Sequence, residues 1–453
     1  MFDSLKFRIC YNVGGNGRTA DASNDDFGLD VARDGNRLTV RILPKRKMEL
    51  VHAEISCPYS FSKETSVLAN GYQSWSLTKE WKSDELQKGI RFPLNKIRIG
   101  REIAAINGDY NFKSYPKKKG YFHGYTFGYV RNGREYEFLG SLSERSGWTI
   151  INFDMNADFI VVEKDVEGKT ITSEYTLFDL VFLNGTYDEV FDGYFAALDV
   201  RPARVGHTTG YTSWYNYFTN IDEKIILRDL EGLSRADKID IFQIDDGHQT
   251  KVGDWTITDT VKFPHGMKYV ADKIHEKGYL AGLWLAPFYV EKTSKVAKEH
   301  PDWILKDKCG KPVFGMLGSR PCYTLNFYIK ECADYIRGFF DAVLNEWGFD
   351  MVKLDFLYAA CLIPFNNRTR GEIMDDACEF LRKCCGDKLI LGCGVPLAPA
   401  FGRFDYCRIG SDVDIKFKPR FIYTLTNNEI VSTQTAIQNT CLLYTSDAAD
   451  DKA

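Results

Sequence analysis

Through roughly the first 200 residues, apolar and polar positions alternate in short runs separated by Gly, Asn and Asp. Leu38-Thr-Val-Arg-Ile-Leu43 and Phe159-Ile-Val-Val-Glu163 are two such runs. A period of two belongs to strands with one buried face, and many short strands between turn residues predict an all-β sandwich over 1–200. A helical stretch at 187–198 then leads to Arg201-Pro202, the expected domain boundary.

After Gly206 the rhythm changes to apolar strand, loop and amphipathic helix, repeated. Strands are expected at 211–214, 239–245, 279–286, 351–356, 388–393 and 405–409. Helices are expected at 221–230, with Asn220 as its cap and Asp222 and Glu223 in its first turn, and at 267–276 and 327–346. Six such repeats within 201–440 predict a (β/α)8 barrel, whose closure needs two more strands. The expected fold class is therefore multidomain, an N-terminal all-β sandwich followed by an incomplete TIM barrel. Residues 434–440 read as the start of a helix; 441–453 break its pattern, resemble translated adapter read-through and read as a non-native tail.

Composition adds little to this organisation but removes several function classes. The 453 residues are 44% hydrophobic and 26% charged with a net charge of −4, which argues against a nucleic-acid partner. No stretch has the length of a membrane span, and the first 13 residues lack the pattern of a secretory signal. The 12 cysteines are scattered with no C-x-x-C pair, so free thiols in the cytoplasm are expected. The seven histidines, among them His207, His248, His265, His275 and His300, have no metal-ligand spacing. No phosphate-binding glycine loop, dinucleotide motif or Gly-x-Ser-x-Gly elbow is present. Aromatic residues make up 14%, which suits stacking on sugar rings and ordinary core packing alike.

The strand ends carry the chemistry. In a barrel the reactive groups sit at the C-terminal ends of strands, and here those ends hold Trp214, Asp245, Asp246, Trp284, Lys353, Asp355, Cys393 and, past the sixth strand, Arg408 and Asp412. Lys353 and Asp355 are two apart in Asp350-Met-Val-Lys-Leu-Asp355, so they share one strand face. Asp355 beside a lysine should have a depressed pKa and stay ionised, as a nucleophile requires; a structural ion pair is the other reading. Asp412 reads either as a protonated general acid or as a helix cap. Asp245 and Asp246 read as acceptors for sugar hydroxyls or as the start of an Asp-Asp-Gly turn. Trp214, Trp255 and Trp284 suit sugar stacking or the core, while Trp75 lies in a turn-rich stretch of the first domain.

Taken together, Gly210-Tyr-Thr-Ser-Trp-Tyr, Gln243-Ile-Asp-Asp-Gly, Gly253-Asp-Trp, Lys262-Phe-Pro-His-Gly, Gly282-Leu-Trp, His300-Pro-Asp-Trp, Lys353-Leu-Asp, Gly402-Arg-Phe-Asp and Arg408-x-x-x-Asp412 resemble glycoside hydrolase family 36, the α-galactosidases of clan D. Asn70-Gly-Tyr-Gln-Ser-Trp75-Ser extends the resemblance into the first domain. The resemblance implies a retaining hydrolase of α-galactoside oligosaccharides such as melibiose or raffinose. Asp355 would be the nucleophile and Asp412 the general acid/base. Asp245 and Asp246 would hold the O4 and O6 hydroxyls, Lys353 and Arg408 others, Trp214 and Trp284 the ring walls. Cys393 would face the 2-position and Trp75 would close the pocket. No cofactor or metal is implied, and homo-oligomerisation of the full-length protein is left open.

The chain departs from the pattern in two places. Gly394-Val-Pro-Leu-Ala-Pro-Ala400 replaces a Gly/Ser-rich segment, which leaves the 2-substituent open and admits an α-N-acetylgalactosaminidase or a transglycosidase. The last two barrel strands and a C-terminal β-domain are expected to be missing. A non-catalytic sugar-binding fragment is thus an alternative, as is another barrel hydrolase that needs a metal.

Overall fold

The computed structural model describes residues 4–200, 204–236, 238–317, 320–410, 412 and 433–447. The expected boundary at Arg201-Pro202 and the end of the expected tail, 448–453, lie outside the described residues. The chain divides into two compact units, one of 1–200 with 361–376 and 409–453, the other of 201–360 with 377–408.

The first unit is built on two seven-stranded sheets. One pairs Asn16–Ala20, Lys6–Val13, Met48–Pro58, Phe159–Lys164, Thr149–Asp154 and Tyr121–Tyr125 in that order, with Thr170–Ile171 beside Met48–Pro58. The other runs Phe27–Asp34, Arg37–Pro44, Tyr175–Gly185, Glu135–Ser141, Phe127–Asn132, Ser66–Ala69 and Lys79–Lys82. The period-two reading is visible in Arg37–Pro44, where Leu38, Val40 and Ile42 are buried and the residues between them are not. These side chains share one apolar core with Ile9, Ile55 and Ile160 of the first sheet, which is where the two-fold alternation has its energetic cause.

The helix Tyr187–Leu198 forms where the 3.6-residue pattern expects it, started by a capping box between Thr186 and Glu189. It buries Val190, Phe191 and Tyr194, and the last two rings meet Phe127 and Phe138 of the second sheet. Gly140 makes that approach feasible, because a Cβ at this position would collide with the Tyr194 ring.

The second unit centres on six parallel strands paired in chain order: Gly210–Thr212, Ile241–Ile244, Leu280–Leu285, Met351–Leu354, Leu389–Gly392 and Tyr406–Cys407. All but the first lie inside the expected ranges, and that one begins a residue early. The helix expected at 221–230 is Glu223–Gly232, and its cap is Asp222, not Asn220. Asp222 is extended, and its Oδ1 accepts the Ile225 N–H at 2.7 Å. Buried Ile221 occupies the position between the expected cap and the real one. Helices Gly266–Glu276 and Lys330–Asp341 follow the pattern, the latter ending in a wider turn at Ala342–Glu346. Among the elements not foreseen is a three-stranded antiparallel sheet of Tyr289–Glu291, Cys322–Thr324 and Phe314–Met316, inserted between the third and fourth parallel strands. Its strands are too short to leave a periodic signal. The helix Thr433–Asp447 runs through position 441.

Gly140→Ala should destabilise the first unit by about 1–3 kcal/mol through overpacking against Tyr194, read as a lower urea midpoint at unchanged slope.

Candidate active site

Three neighbouring strands of the parallel sheet supply the chemistry. Ile241–Ile244 runs into Asp245 and Asp246, Leu280–Leu285 contains Trp284, and Met351–Leu354 contains Lys353 and runs into Asp355. Trp284 stands beside Lys353 in the ladder, so all these groups meet at the same end of the sheet. Asp245, Asp246, Trp284, Lys353, Asp355 and Cys393 are all buried.

Lys353 is the hub. Its Nζ donates to Asp245 Oδ2 at 2.8 Å and lies 3.9 Å from Asp355 Oδ2. Asp245 Oδ2 also accepts from Gln243 Nε2 at 2.7 Å, while the Asp245 N–H donates to Ser213 Oγ. Asp355 has other partners: Trp284 Nε1–H donates to its Oδ2 at 2.8 Å, and the Phe356 N–H to its Oδ1 at 2.9 Å. The Cys393 thiol bonds to the same carboxylate. Asp246 is held separately, by Gln249 Nε2 at 2.7 Å and by the Arg320 guanidinium at 2.5 Å.

The electrostatics correct one expectation. Burial pushes the Asp355 carboxyl above its ordinary value, and this outweighs the lowering by Lys353, by the Trp284 N–H and by Cys393. The depressed pKa expected from the neighbouring lysine is therefore not found. Burial is the reason, and Lys353 is also more than 1 Å nearer to Asp245 than to Asp355. Lys353 itself would be lowered by burial, but the fields of Asp245 and Asp355 raise it above the ordinary lysine value. Burial, then the Asp355 charge, push the Cys393 thiol up, so it acts as a neutral donor. The result is a lysinium, an adjacent fully bonded carboxylate, and a second carboxylate short of solvation.

The remaining expected residues fall as follows. Arg408 lies over the Tyr215 ring at 5.8 Å and close enough to Lys353 and Cys393 to influence both. Trp214 begins the short helix Trp214–Tyr217, half-buried, with its ring edge-on to Phe218. Trp255 is core, packed edge-on against Trp284. Asp412 is exposed, and it and Trp75 belong to the first unit. Trp75 is buried there, its N–H bonded to Gln73 Oε1. Among the described residues, no group of three or more His, Cys, Asp or Glu could hold a metal ion.

Gln243, Gln249 and Arg320 are contributors that the sequence reading did not assign to the site. Gln243 had a usable signal, since it is two residues from Asp245 and shares its strand face. Arg320 had none: it is 74 positions from Asp246 and lies beside one of the inserted strands.

Carboxylates, a lysine and a tryptophan that converge at the C-terminal ends of parallel strands stand where strand–helix proteins of this kind build their active sites. The resemblance to family 36 holds in comparison with known proteins, since residues 212–372 match the family model described as Melibiase. An α-galactosidase of Escherichia coli is 31% identical over 150 residues, covering 32% of this chain and 20% of that protein. A bifunctional α-galactosidase/sucrose kinase of Mediterraneibacter gnavus is 27% identical over 177 residues, 37% of this chain and 18% of its own length. The aligned stretch thus spans about a fifth of these relatives. Among solved structures, the α-galactosidase of Thermus thermophilus in complex with p-nitrophenyl α-D-galactopyranoside superposes with a TM-score of 0.71 at 26% identity, covering 96% of this chain and 80% of that one.

Removing Lys353 leaves two buried carboxylates without their shared cation. Lys353→Met should cost about 3–5 kcal/mol in urea unfolding, and adding Asp245→Asn should recover part of it. Asp355 has a raised folded pKa, so the folded state holds its proton longer than the unfolded chain. Its contribution to stability is therefore greatest in acid and declines as pH rises from ~4, the unfolded value, through the raised folded one. The melting temperature of Asp355→Asn should accordingly gain on the parent as pH rises across that window.

Proposed function

We propose that the protein hydrolyses terminal α-galactosides by double displacement, with Asp355 as nucleophile and Asp412 as general acid/base. The observation that carries the reading is Asp355 itself: a buried carboxylate aimed by Trp284 and the Phe356 N–H, with Lys353 at 3.9 Å. Asp355 would attack the anomeric carbon while the proton of Asp412 passes to the departing oxygen, giving a covalent galactosyl–Asp355. Asp412 would then deprotonate the water that cleaves the ester, and net configuration would be retained. This mechanism needs the two carboxyls about 5–5.5 Å apart. Asp245 and Asp246 would accept from O4 and O6, Lys353 and Arg408 would donate to other hydroxyls, and Trp214, Trp284 and Trp75 would wall the ring.

The relatives support this substrate class. The T. thermophilus enzyme has been solved with stachyose, and a variant of the enzyme AgaA of Geobacillus stearothermophilus with raffinose. In this reading the two sheets of the first unit form a sandwich and the six parallel strands belong to an eight-stranded barrel. Among the described residues no helix is long and apolar enough to cross a membrane, and we read the free thiols as those of a cytoplasmic protein.

A second substrate is favoured by one observation. A galactosaminidase of Flavonifractor plautii acting on A-type blood α-D-galactosamine is 29% identical over 177 residues, and the segment after Cys393 is the one where this chain departs from the family. The ratio of kcat/KM for the p-nitrophenyl α-glycosides of galactose and N-acetylgalactosamine decides between them.

The folded protein should release p-nitrophenol from p-nitrophenyl α-galactoside, and Asp355→Asn should lower kcat by ~10³-fold or more. Asp355→Gly with azide should yield β-galactosyl azide, and Asp412→Ala with azide the α-anomer. Asp412→Ala should slow raffinose more than the nitrophenyl substrate, whose leaving group needs little protonation. Release no faster than by Asp355→Asn would end this reading.

A further inference from the structure

The inserted three-stranded sheet holds a buried group that the mechanism above does not use. Tyr289 and Tyr358 are each 1% exposed, and their hydroxyl oxygens are 2.5 Å apart. Both hydroxyls also reach the Gly315 carbonyl oxygen, at 2.6 and 3.0 Å. The two protons can serve two of these three separations at once, so the three oxygens form one compact hydrogen-bonded cluster. Gly315 must lack a side chain, since a Cβ there would collide with the Tyr289 ring. The ring is thus fixed both at its hydroxyl and along its edge.

The same ring lies parallel to Phe356, with centroids 4.8 Å apart and planes 12° from coincidence. Phe356 directly follows Asp355 and has φ of +55°, a left-handed conformation that a bulky aromatic residue adopts only when its surroundings impose it. Its N–H donates back to Asp355 Oδ1 at 2.9 Å. Trp284, the donor to Oδ2, stands edge-on to the Phe356 ring at 6.4 Å and 86°. Both oxygens of Asp355 therefore take their direction from groups packed around Phe356.

We propose that Tyr289 is a positioning residue for Asp355. Its ring, fixed by Tyr358 and Gly315, stacks on Phe356 and so holds in place the residue whose N–H binds one carboxylate oxygen. This rests on Asp355 being the nucleophile. Tyr289 touches neither substrate nor reacting atoms, so its removal should slow the chemical step and leave substrate binding nearly intact.

The test compares Tyr289→Phe, which keeps the stacked ring, with Tyr289→Leu, which removes it. With p-nitrophenyl α-galactoside, Tyr289→Leu should lower kcat about 10–100-fold with KM within about threefold, while Tyr289→Phe should stay within about threefold in kcat. Phe356→Asn gives an independent arm, because Asn accepts the left-handed backbone and so deletes the stacked ring without straining the chain; it should reproduce the kcat loss, and it carries the test if Tyr289→Leu fails to fold. A readout free of turnover is the carbonyl resonance of Asp355 in protein labelled with [13Cγ]aspartate, assigned by its loss in Asp355→Asn. Its titration midpoint should move in Tyr289→Leu and Phe356→Asn but not in Tyr289→Phe. Unchanged kcat in both ring-deleted variants overturns the proposal, as does a rise in KM alone. If the parent hydrolyses no α-galactoside, the hydrolase reading fails by itself, and the resonance decides the positioning role: an unmoved midpoint overturns it.

Discussion

One lysinium shared by two buried carboxylates is the interaction on which the second unit's strand ends depend. Burying Asp245, Lys353 and Asp355 together leaves a net negative charge in a region of low dielectric, which is unfavourable unless nearly every oxygen and proton has a partner. Gln243, two residues back on its own strand, donates to the Asp245 carboxylate and Ser213 on the neighbouring strand takes its backbone N–H, while Trp284 and Cys393 from the flanking strands serve Asp355. A parallel sheet paired in chain order aligns these strand ends, and a slip of one residue would turn the whole set away from the site. The electrostatics and the register therefore constrain each other.

Within that arrangement two carboxylates of the same kind acquire different characters. Asp245 is paired directly with the cation and further bonded by an amide. Asp355 stands at the longer distance, receives mainly neutral donors and has its pKa raised by burial. Environments that drive like groups apart are how a protein divides roles between them. In the proposed function the paired Asp245 would recognise hydroxyls and the under-solvated Asp355 would attack. Asp246, secured by Gln249 and Arg320, belongs with the first kind.

The parts that were legible in the sequence share a local cause. Lys353 and Asp355 interrupt an apolar strand at a spacing of two, so their common face follows from strand geometry. The helix Tyr187–Leu198 could be located by the period that one-sided burial imprints, and five of the parallel strands by short apolar runs, since most are buried on both faces. The cap of Glu223–Gly232 was displaced by two residues, because Asn220 and Asp222 have the same chemistry and only the burial of Ile221 separates them. Short strands such as Phe314–Met316 carry too few residues for a period, and with them Arg320, Gly315 and Tyr289 escaped notice.

What the sequence determined by itself is the longer elements and the inventory of polar groups at their ends, since both are encoded within single segments. Tertiary structure alone decided which of those groups share a charge. The lysine expected to keep Asp355 ionised spends its short contact on a carboxylate 108 positions away, and burial then reverses the expected sign of the Asp355 shift. Coulombic interactions depend on distances between strands and desolvation on what covers them, and neither quantity is written in the spacing of residues along one strand.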